Sequence, residues 1–298
     1  MLPKNTLYIS LINYLNMNKK YLLSILLISS LLYGCSSDVN IIPPGHNEEL
    51  DVILLYGQSN AAGTTPISQL KQYRKKLYRK YSNSNDLTYI RFYADGNASE
   101  KFVGTQLGQG HNERYFGPEI GMSEYIEEKV WHQVAIIKST YGGSLLSTQW
   151  LDGKSNRGEL YANSIRFTNF ALKQLKDMGY KPNIKAICWM QGESDSTGDD
   201  WTNNYYNNTK ALASYFREDL ASYSDSIKFV DAGIADSAYW TNKDAINNAK
   251  YQYSLDSELN FYFSTIELGL TVQEKDPAHY NGHSMFTLGY TFASYIYE

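Results

Sequence analysis

The sequence predicts one α/β domain in which a mainly parallel sheet is covered by helices on both faces. Short apolar runs alternate with longer amphipathic stretches, as in repeated strand–helix–strand units. Residues 36–298, about 260 in number, are enough for one sizeable core and are typical of a single α/β domain. The run Asp51–Tyr56 ends in Gly57-Gln58-Ser59, as at the carboxyl edge of such a sheet, where α/β proteins bind their ligands.

Six strands and five helices are predicted in chain order. The strands are 51–57, 87–93, 133–138, 184–190, 227–234 and 260–266. The helices are 117–130, 160–178, 203–222, 243–256 and a last one after Gly282. The second of these helices illustrates the argument, because its apolar residues recur every three or four positions: Leu160, Ile165, Phe167, Ala171, Leu172 and Leu175.

The first 35 residues are predicted to be a secretory signal. Lys19 and Lys20 precede an apolar stretch over 22–33, which is shorter than a membrane-spanning helix needs. Leu-Tyr-Gly before Cys35 resembles a bacterial lipobox, so we expect lipid on Cys35 and an exported lipoprotein of the cell envelope, at the outer membrane or cell surface. The alternative is an ordinary cleaved signal with an incidental cysteine.

The remaining organisation is simple. Residues 36–49 are predicted to be a flexible tether, and residues 50–298 the folded domain. The net charge is −4 and no basic cluster suggests a nucleic-acid partner; the locally basic stretch 71–80 suits a solvated helix face. Cys188 lies in an apolar strand and is expected to be a core residue, with no disulfide framework in the chain.

Ser59 is the candidate nucleophile, because a strained strand-to-helix turn exposes a serine hydroxyl for attack. His279 is the candidate base, and Asp276, three residues earlier, is expected to accept from its Nδ1–H. His111 lies in a glycine-rich loop, where surface exposure is the default expectation. His279 and His283 share the spacing of some zinc sites, but the turn at Asn281-Gly282 and the lack of an evident third ligand argue against metal.

Two further strand ends are expected to supply hydrogen-bond donors to the oxyanion. Gly142 and Gly143 follow the strand 133–138, and paired glycines let backbone N–H groups approach a ligand closely. Gln191 follows the strand 184–190, and its side-chain amide is a candidate donor at the same edge. The alternative for Gln191 is a side chain that satisfies loop backbone.

Five ordered blocks resemble those of SGNH hydrolases, and within them the sialate O-acetylesterase and carbohydrate esterase family 6 branch. The resemblance covers about residues 51–297, and its blocks are Gly57-Gln58-Ser59-Asn60, Phe116-Gly117-Pro118-Glu119, Gly142-Gly143-Ser144 with Trp150, Trp189-Met190-Gln191-Gly192-Glu193-Ser194-Asp195, and Asp276-x-x-His279-Tyr280.

This resemblance implies a flavodoxin-like three-layer α/β/α sandwich that removes acetyl groups from sugars without metal or other cofactor. By motif position it implies the triad Ser59, Asp276 and His279, and an oxyanion hole formed by the Ser59 backbone, one glycine of the pair 142–143 and the Gln191 amide. The first block has Gly-Gln-Ser where the wider superfamily has Gly-Asp-Ser, a substitution of the carbohydrate-esterase branch.

Four residues are expected to support the site: Gln58, Asn60, Glu119 and Glu193. Glu119 is expected to position a loop. Glu193 has two interpretations, either a second carboxylate that assists His279 or a buried group that ties its loop to Ser59 or Asn60; the second is favoured.

The predicted function is removal of O-acetyl groups from a carbohydrate such as sialic acid or xylan. A lipid or thioester hydrolase on the same scaffold, or a catalytically silent glycan-binding lipoprotein, are the alternatives. Tyr141, Trp150 and Trp240 are candidate pocket residues, and Arg114 or Arg157 is a candidate partner for a sialate carboxylate.

Overall fold

A computed structural model describes residues 42–298 of the chain. The strands are β1 Glu49–Gly57, β2 Thr65–Pro66, β3 Thr88–Ala94, β4 Asn97–Ala98, β5 Val103–Gly104, β6 Tyr115–Phe116, β7 Val134–Thr140, β8 Lys181–Met190, β9 Lys228–Ala232, β10 Asn260–Phe263, β11 Val272–Gln273 and β12 Asp276–Tyr280. Strand β1 is fully buried from Val52 to Tyr56, because its apolar side chains face helices on both sides of the sheet.

Nine α-helices accompany these strands in residues 42–298: α1 Ser59–Ala62, α2 Ile67–Tyr73, α3 Lys75–Tyr81, α4 Glu119–Tyr125, α5 Glu159–Asp177, α6 Asp199–Asn203, α7 Tyr205–Asp219, α8 Lys243–Ser254 and α9 Gly282–Tyr297. Helix α4 continues as a π-helix over Ile126–Val130, and a second π-helix covers Leu146–Trp150. Each of the five predicted helices is present, and the basic stretch 71–80 lies on α2 and α3, which meet at Arg74.

The central sheet has the order β10-β9-β8-β1-β7-β3-β4, and β5 also pairs with β3. Every pairing from β10 to β3 is parallel, whereas β4 and β5 lie antiparallel to β3 at one edge. The six predicted strands are the six parallel ones, so the α/β class is confirmed. Because β1 lies between β7 and β8, the segments that follow these three strands meet at one edge of the sheet.

The tether predicted over 36–49 is wrong for its described part. Ile42 is only 2 % exposed, and the Tyr180 hydroxyl donates to the Pro43 carbonyl at 2.9 Å. The Gly45 and Asn47 amides donate to the carbonyls of residues 178 and 179. Residues 42–48 therefore lie against the domain because their backbone groups find partners there, which a polar, proline-containing composition does not reveal.

The predictions for the N-terminal segment lie outside the described residues, whereas the one for Cys188 can be compared with the structure. The signal peptide, Cys35 and the tether residues 36–41 lie outside the described residues. Within 42–298 no helix has the length and apolarity to cross a bilayer. Cys188 is completely buried in β8, which confirms its prediction as a core residue, and within residues 42–298 it has no disulfide partner.

Candidate active site

The turn after β1 presents Ser59 at the carboxyl edge of the sheet. Gly57 has φ +139°, and a Cβ there would lie 1.9 Å from the Met190 carbonyl oxygen, so only glycine fits. The Gln58 amide donates to that same carbonyl at 3.0 Å. Ser59 then begins α1 as a partly buried residue, and its carbonyl accepts from Gly63 N at 2.9 Å. Strand pairing and a tight turn thus hold the predicted nucleophile at the expected edge.

The predicted acid–base pair is formed on β12. His279 Nδ1 lies 2.6 Å from Asp276 Oδ2, with side chains 21 % and 43 % exposed. Since a carboxylate only accepts, Nδ1 is assigned as the donor, which leaves Nε2 free to accept a proton. The Ala278 amide donates to Asp276 Oδ1 at 3.2 Å, and this local turn brings side chains three residues apart together.

Asn60 joins the serine turn to β12. Its Nδ2 donates to the Ala278 carbonyl at 3.2 Å, and its Oδ1 accepts from Tyr280 N at 3.2 Å. Asn60 is completely buried, so these bonds are shielded from water. Asn60, the residue next to Ser59, is thus hydrogen-bonded to both neighbours of His279, which joins the serine turn to the segment that carries His279.

The contact between Ser59 and His279 is not closed in this structure. Within residues 42–298 no hydrogen bond involves the Ser59 hydroxyl. Catalytic hydrogen bonds in the absence of substrate are often long and tighten only when the substrate binds. We therefore expect the Ser59–His279 hydrogen bond to form when the substrate binds.

The glycine pair after β7 lies beside this turn, because the Tyr141 amide donates to the Gly57 carbonyl at 3.0 Å. The Gly142 amide already donates to Asp95 Oδ1 at 2.9 Å. Gly143 has φ +65° and is exposed. In the described part of the chain its N–H has no acceptor. Of the two glycines, Gly143 therefore has the amide that is free to bind an oxyanion.

The side chain of Gln191 is not a free donor. It is completely buried, and its Nε2 donates to the Ser144 carbonyl at 2.9 Å and to Asp195 Oδ2 at 2.6 Å. Gln58 Oε1 lies 3.2 Å from the same nitrogen, so the acceptors around it use both of its hydrogens, and Gln191 Oε1 accepts from the Tyr205 hydroxyl at 3.0 Å. The prediction that this amide faces the oxyanion is wrong in this structure, and Gln191 instead ties the loop after β8 to the glycine turn.

Gln58 is a second brace between these loops. It is only 2 % exposed, and its Oε1 accepts from the Ser194 amide at 3.3 Å while its Nε2 donates to the Ser194 hydroxyl at 3.3 Å. The residue before the nucleophile thus holds the loop after β8, as its predicted supporting role requires.

Glu193 is completely buried behind the serine turn. Its Oε1 accepts from Asn60 Nδ2 at 2.8 Å, which confirms the favoured interpretation of a group tied to Asn60. Its Oε2 has no hydrogen-bond partner in the described residues. Burial raises the pKa of the Glu193 carboxyl, and the hydrogen bond from Asn60 opposes this effect.

More charged groups lie buried near Glu193. Burial raises the pKa of Asp195, against the hydrogen bonds that it accepts from the Leu146 amide and Gln191. Burial also raises the pKa of Asp231 to about 6, although the ion pair with the Lys250 ammonium opposes this effect. The loop after β8 thus rests on carboxyl groups that the protein interior keeps poorly solvated.

Glu119 forms a separate buried ion pair. Its Oε2 lies 2.8 Å from Lys138 Nζ, both side chains are completely buried, and its Oε1 accepts from the Gly117 amide at 2.7 Å. Lys138 also donates to the Gln109 carbonyl at 2.9 Å, and burial lowers the pKa of its ammonium. Glu119 therefore positions the loop before α4, as expected.

The candidate pocket residues have mixed outcomes. Trp150 is completely buried and donates from Nε1 to Ser144 Oγ at 3.0 Å, so it is a core residue and not a pocket wall. Trp240 is only 7 % exposed, whereas Tyr141 is partly exposed beside the glycine turn. Arg157 is bound by Glu218 and Asp219, and the Arg114 side chain is 84 % exposed beside Glu113. Within residues 42–298 neither arginine side chain forms a hydrogen bond or ion pair with a predicted site residue.

Sequence reasoning missed Asp95, which follows β3 at the same edge. Its Oδ1 accepts from Gly142 and its Oδ2 lies 3.0 Å from His111 Nδ1. An Asp-Gly pair directly after an apolar strand is a turn signal that marks this position. Residues 42–298 contain no group of three or more His, Cys, Asp or Glu side chains arranged to hold a metal ion.

A family model describes this chain over residues 49–298, and its description is carbohydrate esterase, sialic acid-specific acetylesterase. The chain belongs to this family. It is accordingly a carboxylic ester hydrolase that removes O-acetyl groups from carbohydrates. The resemblance drawn from the five sequence blocks is confirmed. No curated protein matches the chain in sequence.

Solved structures share the fold at low sequence identity. A protein from Arabidopsis thaliana is 18 % identical with a TM-score of 0.64, over 85 % of this chain and 98 % of its own. NanS is 14 % identical with a TM-score of 0.58, over 86 % and 98 %. A carbohydrate acetylesterase from Xanthomonas citri is 14 % identical with a TM-score of 0.57, over 82 % of this chain and 54 % of its own.

Proposed function

We propose that this esterase cleaves sugar acetates through an acetyl-serine intermediate on Ser59. The observation that supports this most strongly is the Asn60 bridge, which holds the serine turn against the segment carrying Asp276 and His279. A nucleophile, an oriented base and free backbone donors at one sheet edge are the set that acyl transfer needs.

The reaction has two halves. His279 Nε2 takes the Ser59 proton while Oγ attacks the acetyl carbonyl, and the Ser59 and Gly143 N–H groups donate to the oxyanion. The tetrahedral intermediate then collapses, and the bond between the acetyl carbon and the sugar oxygen breaks. The sugar hydroxyl leaves with the proton from His279. Water, deprotonated by His279, then attacks the acetyl-serine and releases acetate, and the proton returns to Ser59. Asp276 holds the imidazole orientation throughout.

The proposed substrate is an acetylated carbohydrate, with sialic acid and decorated polysaccharides such as xylan both compatible with the family description. The similar structure from Xanthomonas citri is that of a carbohydrate acetylesterase, which supports the wider class rather than one sugar. Two alternatives remain: the site acts on lipid esters or thioesters, or it only binds glycan. Assays with sugar acetates and with a long-chain ester distinguish them from this proposal.

The test compares residues 36–298 with the Ser59→Ala variant. Acetate release is measured from acetylated xylan and O-acetylated sialic acid, beside p-nitrophenyl acetate and p-nitrophenyl octanoate. Release from a sugar that falls by at least about 10³-fold in the variant supports the proposal. Activity retained by Ser59→Ala overturns the assignment of the nucleophile. Preference for octanoate overturns the sugar substrate, and binding of acetylated glycan without release overturns catalysis.

The cellular location is a second part of the proposal. A basic segment, a short apolar stretch and Cys35 support a lipid-anchored protein of the cell envelope. The full chain expressed in a bacterium is expected in the membrane fraction, and a Cys35→Ala variant is expected to leave it. Equal partition of the two proteins would contradict lipidation at this cysteine.

A further inference from the structure

Outside the proposed triad, the same sheet edge holds a second histidine–aspartate pair. Asp95 follows β3 and His111 lies in the loop before β6, and Nδ1 of the histidine is 3.0 Å from Asp95 Oδ2. The His111 side chain is 44 % exposed, and within residues 42–298 its Nε2 has no hydrogen-bond partner. The proposed mechanism uses neither residue.

A closed circuit of hydrogen bonds connects this pair with the serine turn from two sides. On one side, the Gly63 amide donates to the Ser59 carbonyl, and the His111 amide donates to the Gly63 carbonyl, both at 2.9 Å. On the other side, Asp95 accepts from the Gly142 amide at 2.9 Å. The Tyr141 amide closes this circuit by donating to the Gly57 carbonyl.

The distance across this circuit, from Asp95 to the end of β1, suits one sugar. Asp95 follows β3, which is two strands away from β1 in the sheet order. Neighbouring strands lie about 4.8 Å apart, so Asp95 lies on the order of 10 Å from the end of β1. A sugar ring that carries its acetyl group into the Ser59 site would span that gap, with its remaining hydroxyls toward His111.

The chemistry of the pair suits a hydroxyl group. The Asp95 carboxylate accepts from Nδ1–H and fixes the ring, so Nε2 of the neutral histidine is an acceptor directed away from Asp95. A sugar hydroxyl donates to that nitrogen. Asp95 also carries the charge that would repel an anionic group, so the pair favours a neutral hydroxyl over a carboxylate.

We propose that His111, oriented by Asp95, binds a hydroxyl of the acetylated sugar and determines sugar specificity at the Ser59 site. This inference rests on the proposed function. His111 contacts the substrate, whereas Asp95 is a positioning residue that holds both His111 and the glycine turn.

The test compares an acetylated sugar with p-nitrophenyl acetate, an ester that has no sugar. His111→Ala is expected to lower kcat/KM for the acetylated sugar about tenfold, mainly through KM, since one hydrogen bond to substrate is lost. The same variant should hydrolyse p-nitrophenyl acetate within twofold of the parent, because that ester has no sugar hydroxyl. His111→Gln, which keeps a polar group there, should recover part of the sugar activity.

A matched control is available at the other end of the sheet. His132 Nε2 lies 3.1 Å from Asp51 Oδ2 and its side chain is 55 % exposed, so His132→Ala removes a similar pair far from Ser59. It should change neither activity. Equal losses on both esters in His111→Ala, or no loss on either, would overturn the inference. Failure of the parent protein to release acetate from any sugar would instead overturn the proposed function, and this inference with it.

Discussion

The two ends of the central sheet carry similar side chains but are built differently. At the amino end, His132, whose side chain is 55 % exposed, pairs with Asp51, whose side chain is 13 % exposed and also accepts from the Tyr297 hydroxyl at 3.2 Å. At the carboxyl end, His279 and Asp276 lie 2.6 Å apart on a segment bound to the serine turn. A histidine–aspartate pair is thus common to both ends, and what distinguishes the site is its connection to a nucleophile and to free backbone donors.

Burial separates the two ends further. The residues that support the carboxyl end are completely or almost completely buried: Gln58, Asn60, Gln191, Glu193 and Asp195. At the amino end, Asn183 donates to Glu49 at 2.6 Å in an exposed pair. Buried polar networks rigidify their surroundings when they are satisfied, whereas exposed pairs contribute little. The buried polar residues next to the site are therefore held more rigidly than the exposed pair of Asn183 and Glu49.

The largest expected effect separates the two histidines. His279→Ala removes the proposed base and should lower kcat for an acetylated substrate by at least about 10³-fold, because the nucleophile then has no proton acceptor. His132→Ala should retain activity within twofold. Steady-state kinetics on both variants, with circular dichroism to confirm folding, checks this. A comparable loss in His132→Ala would break the contrast between the two ends.

A smaller effect separates the two asparagines. Asn60→Ala removes the bonds to Ala278 and Tyr280 and leaves Glu193 without its donor, so His279 loses its fixed position. We expect a fall of about 10–100-fold in kcat/KM together with lower stability. Asn183→Ala removes only an exposed contact and should change neither measurably. If Asn60→Ala kept full activity, the bridge would not position the base.

Local pattern predicted those parts of the site that lie close in sequence. The apolar run before Gly57 indicated the serine turn, and the three-residue spacing indicated the Asp276–His279 pair. The partner of Glu193 stayed open because Asn60 lies 133 residues away in the chain. The direction of the Gln191 amide was predicted wrongly, because it depends on Asp195 and on the distant Tyr205 hydroxyl. Side-chain direction at a loop is a tertiary property that residue spacing does not encode.

The smallest effect concerns the pH dependence of stability. Because burial raises the pKa of Glu193 in the folded protein, the native state holds this proton more tightly than the unfolded chain does. That contribution to the free energy of unfolding is fully present below the unfolded pKa of about 4.3 and is lost as pH rises through the native value. Glu193→Gln carries no such charge and still accepts from Asn60 through its amide oxygen.

The difference in Tm between Glu193→Gln and the parent should therefore rise from pH 4 to pH 8 by a few degrees, since 1 kcal/mol corresponds to roughly 2–4 °C in a domain of this size. The slope is the informative quantity, because the new amide N–H lacks a partner at every pH. A flat difference for Glu193→Gln would mean that nearby cations such as Lys250 already offset the burial of this carboxylate.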